Sequence, residues 1–185
     1  MICIILVAGH ETSLDEEIRN DVTGQFSHLE GTPKALLPGV GGKRILDYWW
    51  DLIKNRQLFS QVFLVCNADK YKYFERWASG AEFPVDNIIN DGTTSYDTRL
   101  GAVSDLDLCL RVKSNFCQNE NVMVVAGDMM FQVNLTGVAA LFFKMTFNKP
   151  FYCWYLKTFS QNFGIVYRKF CIVNRIVRFE QFQNK

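Results

Sequence analysis

Three short segments carry side chains whose chemistry goes beyond packing. Ala8-Gly9-His10-Glu11-Thr12-Ser13-Leu14 follows an apolar run and turns into a polar loop, where backbone amides can face a phosphate or a base. The GxGxxG spacing of dinucleotide sites is absent, so an ordinary surface loop fits the same residues. Pro33-Lys34-Ala35-Leu36-Leu37-Pro38 leads into Gly39-Val40-Gly41-Gly42-Lys43, which is not a Walker A loop, because Arg44 stands where Ser or Thr is required. Lys34, held between proline and leucines, is a better phosphate-binding candidate than Lys43 or Arg44. The alternative is a lysine stem that covers the leucines. The third segment is the apolar run Val122–Val125 ending in Ala126-Gly127-Asp128. It delivers a carboxylate to a sheet edge, where it can hold Mg²⁺, a hard cation that takes one or two carboxylates plus substrate phosphates. A turn-forming or helix-capping aspartate fits equally well.

The elements that must position these residues alternate along the chain. Strands are expected at Ile2–Val7, Val62–Cys66, Val85–Ile89, Val122–Val125 and near Phe151–Leu156, each an apolar run of strand length. Between them lie helical patterns. Ile45, Leu46, Trp49, Leu52 and Ile53 share one face of a helix; Asp69–Ala78 is a second, with Tyr73, Phe74 and Trp77 at core spacing and a stop at Gly80. Asp97–Arg111 is a third, with Leu100, Val103, Leu106 and Leu110 on one side, and a fourth is expected at about Leu135–Met145. The stretch from the first strand to about Arg44 is polar and carries no such pattern. Strands that are apolar throughout, alternating with helices, imply a mostly parallel sheet covered on both faces. The runs Phe163–Phe170 and Asn174–Phe179 suggest a closing antiparallel hairpin. In such sheets ligands bind beyond the carboxyl ends of the strands, which is where the three segments fall.

Composition narrows the function classes. At 185 residues the chain fits one domain, and its 49% hydrophobic and 21% charged residues are those of a folded globular protein. A net charge of +1 provides no global field to draw nucleic acid or a membrane surface, so phosphate chemistry must be local. Ile2–Ala8 is too short to span a membrane and lacks the basic flank and cleavage pattern of a signal peptide, which points to the cytoplasm. Six cysteines without a CxxC pair read as reduced, mostly buried thiols, and the sequon Asn134-Leu135-Thr136 then carries little weight. Phe142, Phe143 and Trp154 belong either to the core or to an interface, so a homo-oligomer or partner subunit stays open.

Taken together, LVAGHETSL at Leu6–Leu14, PKALLPGVGGKRILDYW at Pro33–Trp49, NDGTTSYDTRLGA at Asn90–Ala102 and VVAGDMMF at Val124–Phe131 resemble the sugar-1-phosphate nucleotidyltransferases. That GT-A-like family carries LAAGxGTRL, PKPLLPVxGKPILDY and a strand ending in GD. Phe163-Gly164-Ile165-Val166 and Arg175–Glu180 resemble its YGVV strand and the approach to its EKP motif. The resemblance covers essentially the whole chain in order. It implies a Rossmann-like three-layer α/β/α fold and transfer of a nucleotidyl group from an NTP to a sugar 1-phosphate or similar phosphorylated alcohol, with release of pyrophosphate. It also implies that Lys34 and Asp128 are catalytic, with Asp128 on Mg²⁺. Leu6, Ala8, Gly9, Thr12, Lys34, Thr93, Thr94 and Gly101 would line the nucleotide, and Gly164 the sugar.

The departures have a sign. Glu11 replaces the glycine and Ser13 the arginine of GTRL, so a cation is lost and a carboxylate is added beside a polyanion. Arg19, in a stretch longer than the family's, is a candidate stand-in. Phe179-Glu180-Gln181-Phe182 stands at FEEKP, so Phe182 takes the family lysine's place, and the chain stops before a second metal-binding aspartate. The resemblance therefore implies a nucleotidyltransferase-like domain over residues 1–185 that is incomplete at its carboxyl end. A catalytically degenerate nucleotide-binding or regulatory subunit, or an inactive truncated isoform, is the alternative.

Overall fold

The computed structural model describes residues 1–54, 58–118, 120–129, 151–160 and 164–173, the last two stretches as backbone. Four parallel strands, β1 (Ile2–Leu6), β2 (Gln61–Cys66), β3 (Ile88–Asn90) and β4 (Val122–Ala126), lie in the order β3-β2-β1-β4. Beyond β4 the sheet continues with β6 (Gly164–Val173), then β5 (Phe151–Ser160), both neighbours pairing antiparallel. The antiparallel partner of Phe163–Phe170 is thus the preceding run, and Asn174–Phe179 lies outside the described residues, as does the helix expected at Leu135–Met145.

Both faces of the sheet are covered, which the residue alternation in β1 makes plain. Cys3 and Ile5 join one core cluster with Leu46 and Trp49 of α2 (Ile45–Lys54) and Phe74 and Trp77 of α3 (Tyr71–Ala81). Ile2 and Ile4 join the other with Leu106, Cys109 and Leu110 of α4 (Ala102–Val112) and Cys117 of α5 (Ser114–Cys117). Burying a side chain of this size stabilises the fold by about 1.5–3 kcal/mol, so two clusters lock the sheet between its helical layers. The architecture is the expected three-layer one. Cys3, Cys66, Cys109 and Cys117 are buried free thiols, and burial pushes Cys66 and Cys109 each up to about 12, which keeps them protonated.

Several boundaries differ from the sequence reading. A helix, α1 (Thr12–Asn20), forms inside the stretch read as patternless, burying only Ile18. Helix α3 begins at Tyr71 and runs through Gly80 to Ala81, and Tyr73, placed at core spacing, is exposed. The third strand shortens to Ile88–Asn90 because a 3-10 turn takes Val85–Asn87. Helix α4 begins only after Gly101, whose φ of 86° no other residue adopts readily. Leu100, expected on its core side, falls before the helix and is 45% exposed, and Val103, in the first turn, is 64% exposed.

Candidate active site

The register aligns the carboxyl ends of three strands: Leu6 is level with Val65 on one side and with Ala126 on the other. The loop leaving each strand is held by specific bonds. After β1, the carbonyls of Ala8 and Gly9 both accept from Nδ2 of Asn67, at 3.2 and 3.1 Å, and Asn67 is fully buried. After β4, Gly127 packs so tightly that a Cβ there would collide with the side chains of Val7 and Ile5. Its amide donates to the Leu6 carbonyl at 3.0 Å, which fixes the next residue, Asp128, beside the β1 loop. The indole of Trp49 then donates to the Met129 carbonyl at 2.7 Å and clamps the turn from the far side.

Lys34 arrives on a 3-10 turn (Lys34–Leu36) whose Ala35 and Leu36 are buried against the core. Gly31, just upstream, is pinned twice: its carbonyl accepts from Lys70 Nζ at 2.9 Å and its amide donates to Asp15 at 2.9 Å. The Lys34 ammonium makes no hydrogen bond or ion pair among the described residues, whereas Lys43 pairs with Asp51 and Arg44 with Asp47.

These segments enclose an open cleft of about 420 Å³, lined by Leu6, Ala8–Ser13, Lys34, Tyr96, Arg99, Gly101, Asp105 and Asp128 among others. That volume suits a small ligand. Its electrostatics are mixed. Glu11, at a left-handed φ of 53°, accepts from the Lys34 amide at 2.7 Å. Burial pushes its carboxyl up to about 7 against the opposing pull of that amide and of the Lys34 charge, and the nearby Asp128 pushes the same way as burial. Asp105 is 5% exposed, its Oδ1 has no partner among the described residues, and burial together with facing Asp91 raises it to about 7.

Of the residues singled out by resemblance, Leu6, Ala8, Gly9, Thr12, Lys34, Gly101 and Asp128 meet at this one cleft. Thr93 stands behind it, buried, with its hydroxyl donating to Asp91 at 2.8 Å and 3.1 Å from Nε2 of His10. Thr94 is exposed and outside the lining. Gly164 opens β6 opposite Ser160, and its surroundings lie outside the described residues. Arg19 is no stand-in: it is 60% exposed on α1, where it donates to the Asp15 carbonyl and lies 3.6 Å from Glu30. The cation that sequence reasoning missed is Arg99, whose guanidinium stacks 3.6 Å over the Tyr96 ring and donates to the Tyr96 carbonyl at 2.6 Å. It belongs to the NDGTTSYDTRLGA segment, and only the loop's fold shows that it faces the cleft.

No protein-family profile and no curated protein sequence matches the chain. In fold it is similar to a Bacillus anthracis protein named as a glucose-1-phosphate thymidylyltransferase, with a TM-score of 0.59 at 16% identity over 94% of this chain and 70% of that one. It is also similar to the inositol-1-phosphate CTP transferase of T. maritima, with a TM-score of 0.50 at 12% identity over 94% of this chain and 70% of that one. At such identities the likeness is one of fold, and it agrees with the Rossmann-like α/β architecture above. Among the described residues no helix is long and apolar enough to cross a membrane.

Proposed function

We propose that this protein is a nucleotidyltransferase, moving a nucleotidyl group from an NTP to a sugar 1-phosphate or similar phosphorylated alcohol and releasing pyrophosphate. The observation that carries the reading is the convergence of Lys34, Arg99, Asp128 and the loop amides after β1 on one ligand-sized cleft. The motifs that resemble the family, and the names of the two fold neighbours, support the same class of substrate.

The reaction is an in-line attack of a phosphate oxygen on the α-phosphorus, catalysed by positioning and by neutralising phosphate charge. Lys34 supplies a cation whose ammonium makes no hydrogen bond or ion pair among the described residues, although the Glu11 carboxyl lies within reach of its charge. Arg99, braced on Tyr96, takes the part that Ser13 at the GTRL arginine position cannot. Asp128 fits a divalent cation such as Mg²⁺: its carboxylate lines the cleft, is exposed and makes no hydrogen bond or ion pair among the described residues. No group of three or more His, Cys, Asp or Glu able to hold a metal occurs among the described residues, so substrate oxygens would complete the shell. Such an ion, when bound, supplies further positive charge to the phosphates. Glu11 works against all of this, since its carboxylate already occupies the Lys34 amide.

The test is pyrophosphate release from a panel of NTPs and sugar 1-phosphates with Mg²⁺. Asp128→Asn should lower turnover by about 10²-fold or more, in line with loss of transition-state charge stabilisation. Absence of both release and NTP binding by the unmodified chain would remove the proposal.

A further inference from the structure

We infer that Asn67, which does not itself line the cleft, is the positioning residue that turns the loop after β1 into a phosphate-binding nest; this rests on the nucleotidyltransferase reading. In a trans peptide the carbonyl of one residue and the N–H of the next point in opposite directions. Asn67 Nδ2 draws the carbonyls of Ala8 and Gly9 towards itself, behind the loop. The N–H groups of Gly9 and His10 must then point the other way, towards the cleft that both residues line. Neither amide has a hydrogen-bond partner among the described residues. Two adjacent unpaired donors aimed into one cleft are the arrangement that holds an anionic oxygen.

The amide side chain suits this task at every atom. Its two N–H donors serve the two carbonyls, and its Oδ1 accepts from the Lys70 amide at 2.8 Å, closing the turn that enters α3. The same corner reaches two further cleft segments. Lys70 Nζ holds Gly31 upstream of Lys34, and the Ala68 amide donates to the Thr93 carbonyl at 2.9 Å. Full burial of Asn67 leaves it no solvent to exchange these bonds with, so the orientation is fixed before any ligand arrives.

Asn67→Ser keeps an oxygen that can accept from Lys70 but cannot reach the two carbonyls. Asn67→Asp keeps the shape and the acceptor but has no donor. Titration with tripolyphosphate and with the matching nucleoside separates positioning from general damage. Both variants should lose about tenfold or more in tripolyphosphate and NTP affinity, with the nucleoside affinity retained. Equal losses for nucleoside and tripolyphosphate, or unchanged tripolyphosphate affinity, would overturn the assignment. Should either variant fail to fold, the unmodified protein decides: the amide resonances of Gly9 and His10 should shift on adding tripolyphosphate, and unmoved resonances overturn the proposal. If the unmodified chain binds tripolyphosphate through these amides but no NTP, the transferase reading fails and the nest stands.

Discussion

At the amino ends of β1 and β2 the polar groups are paired. The Met1 ammonium meets Glu120 at 3.0 Å, the Met1 carbonyl takes the Ser60 amide, and Asn87 Nδ2 donates to the Val62 carbonyl at 3.0 Å. The groove there is walled by Trp50, Ile53, Phe59 and Pro84. At the carboxyl ends of the same strands the scaffold is bonded, by Asn67 and by the Gly127 amide among others, but the groups that face the cleft are not all paired. Among the described residues the amides of Gly9 and His10 are free, the Lys34 ammonium and the Asp128 carboxylate make no hydrogen bond or ion pair, and Asp105 holds an orphaned oxygen, while Glu11 sits at a φ that side chains avoid. The same strands thus end in closed structure on one side and open valences on the other. Unsatisfied groups and strain persist where a rigid scaffold holds them and a ligand would complete them.

The contrast predicts that variants should separate cleanly into stability and binding effects. The largest change is expected from Trp77→Ala: the ring is 1% exposed and bonded to Asp47 at 2.8 Å, so chemical denaturation should show a loss of about 3–5 kcal/mol. Lys34→Ala should move stability by no more than about 0.5 kcal/mol while weakening NTP binding about tenfold or more. A large stability loss with intact binding would return Lys34 to the role of a stem covering leucines. Glu11→Gly relieves the left-handed backbone and removes a carboxylate from the cleft. It should leave stability equal or up to about 1 kcal/mol higher and tighten NTP binding severalfold.

The contrast also predicts a pH slope. Asp105 is raised from 3.8 to about 7 by burial, so the folded state keeps a proton that the unfolded chain releases. Its contribution is fully present below about pH 4 and lost as pH rises through 7. Asp105→Asn should therefore gain on the unmodified protein between pH 4 and 8 in denaturant melts. A constant difference across that range would show that Asp105 does not titrate with folding.

The layered sheet was legible because strand cores such as Ile2–Leu6 and Val62–Cys66 are apolar on both faces, a pattern with few other solutions. Helix α1 was not, since with one buried residue it has no stripe to read. Asp128 and Lys34 could be singled out because glycine and proline flank them. Arg99 and Asn67 could not, as their orientation depends on backbone turns at Gly101 and at the end of β2. Exposure of Leu100 has the same origin: the apolar spacing continues back into a segment that the Gly101 turn separates from the helix.

Gly127 constrains which sequences can share this cleft. Since a single methyl there meets Val7 and Ile5, the position cannot drift alone. A descendant that acquires alanine must relieve both contacts, which takes volume out of the sheet core beneath the aspartate. The viable path is a coupled exchange at all three positions. Reconstructed ancestors and laboratory-evolved lines should accordingly show Gly127 changing only together with residues 5 and 7, as one heritable unit.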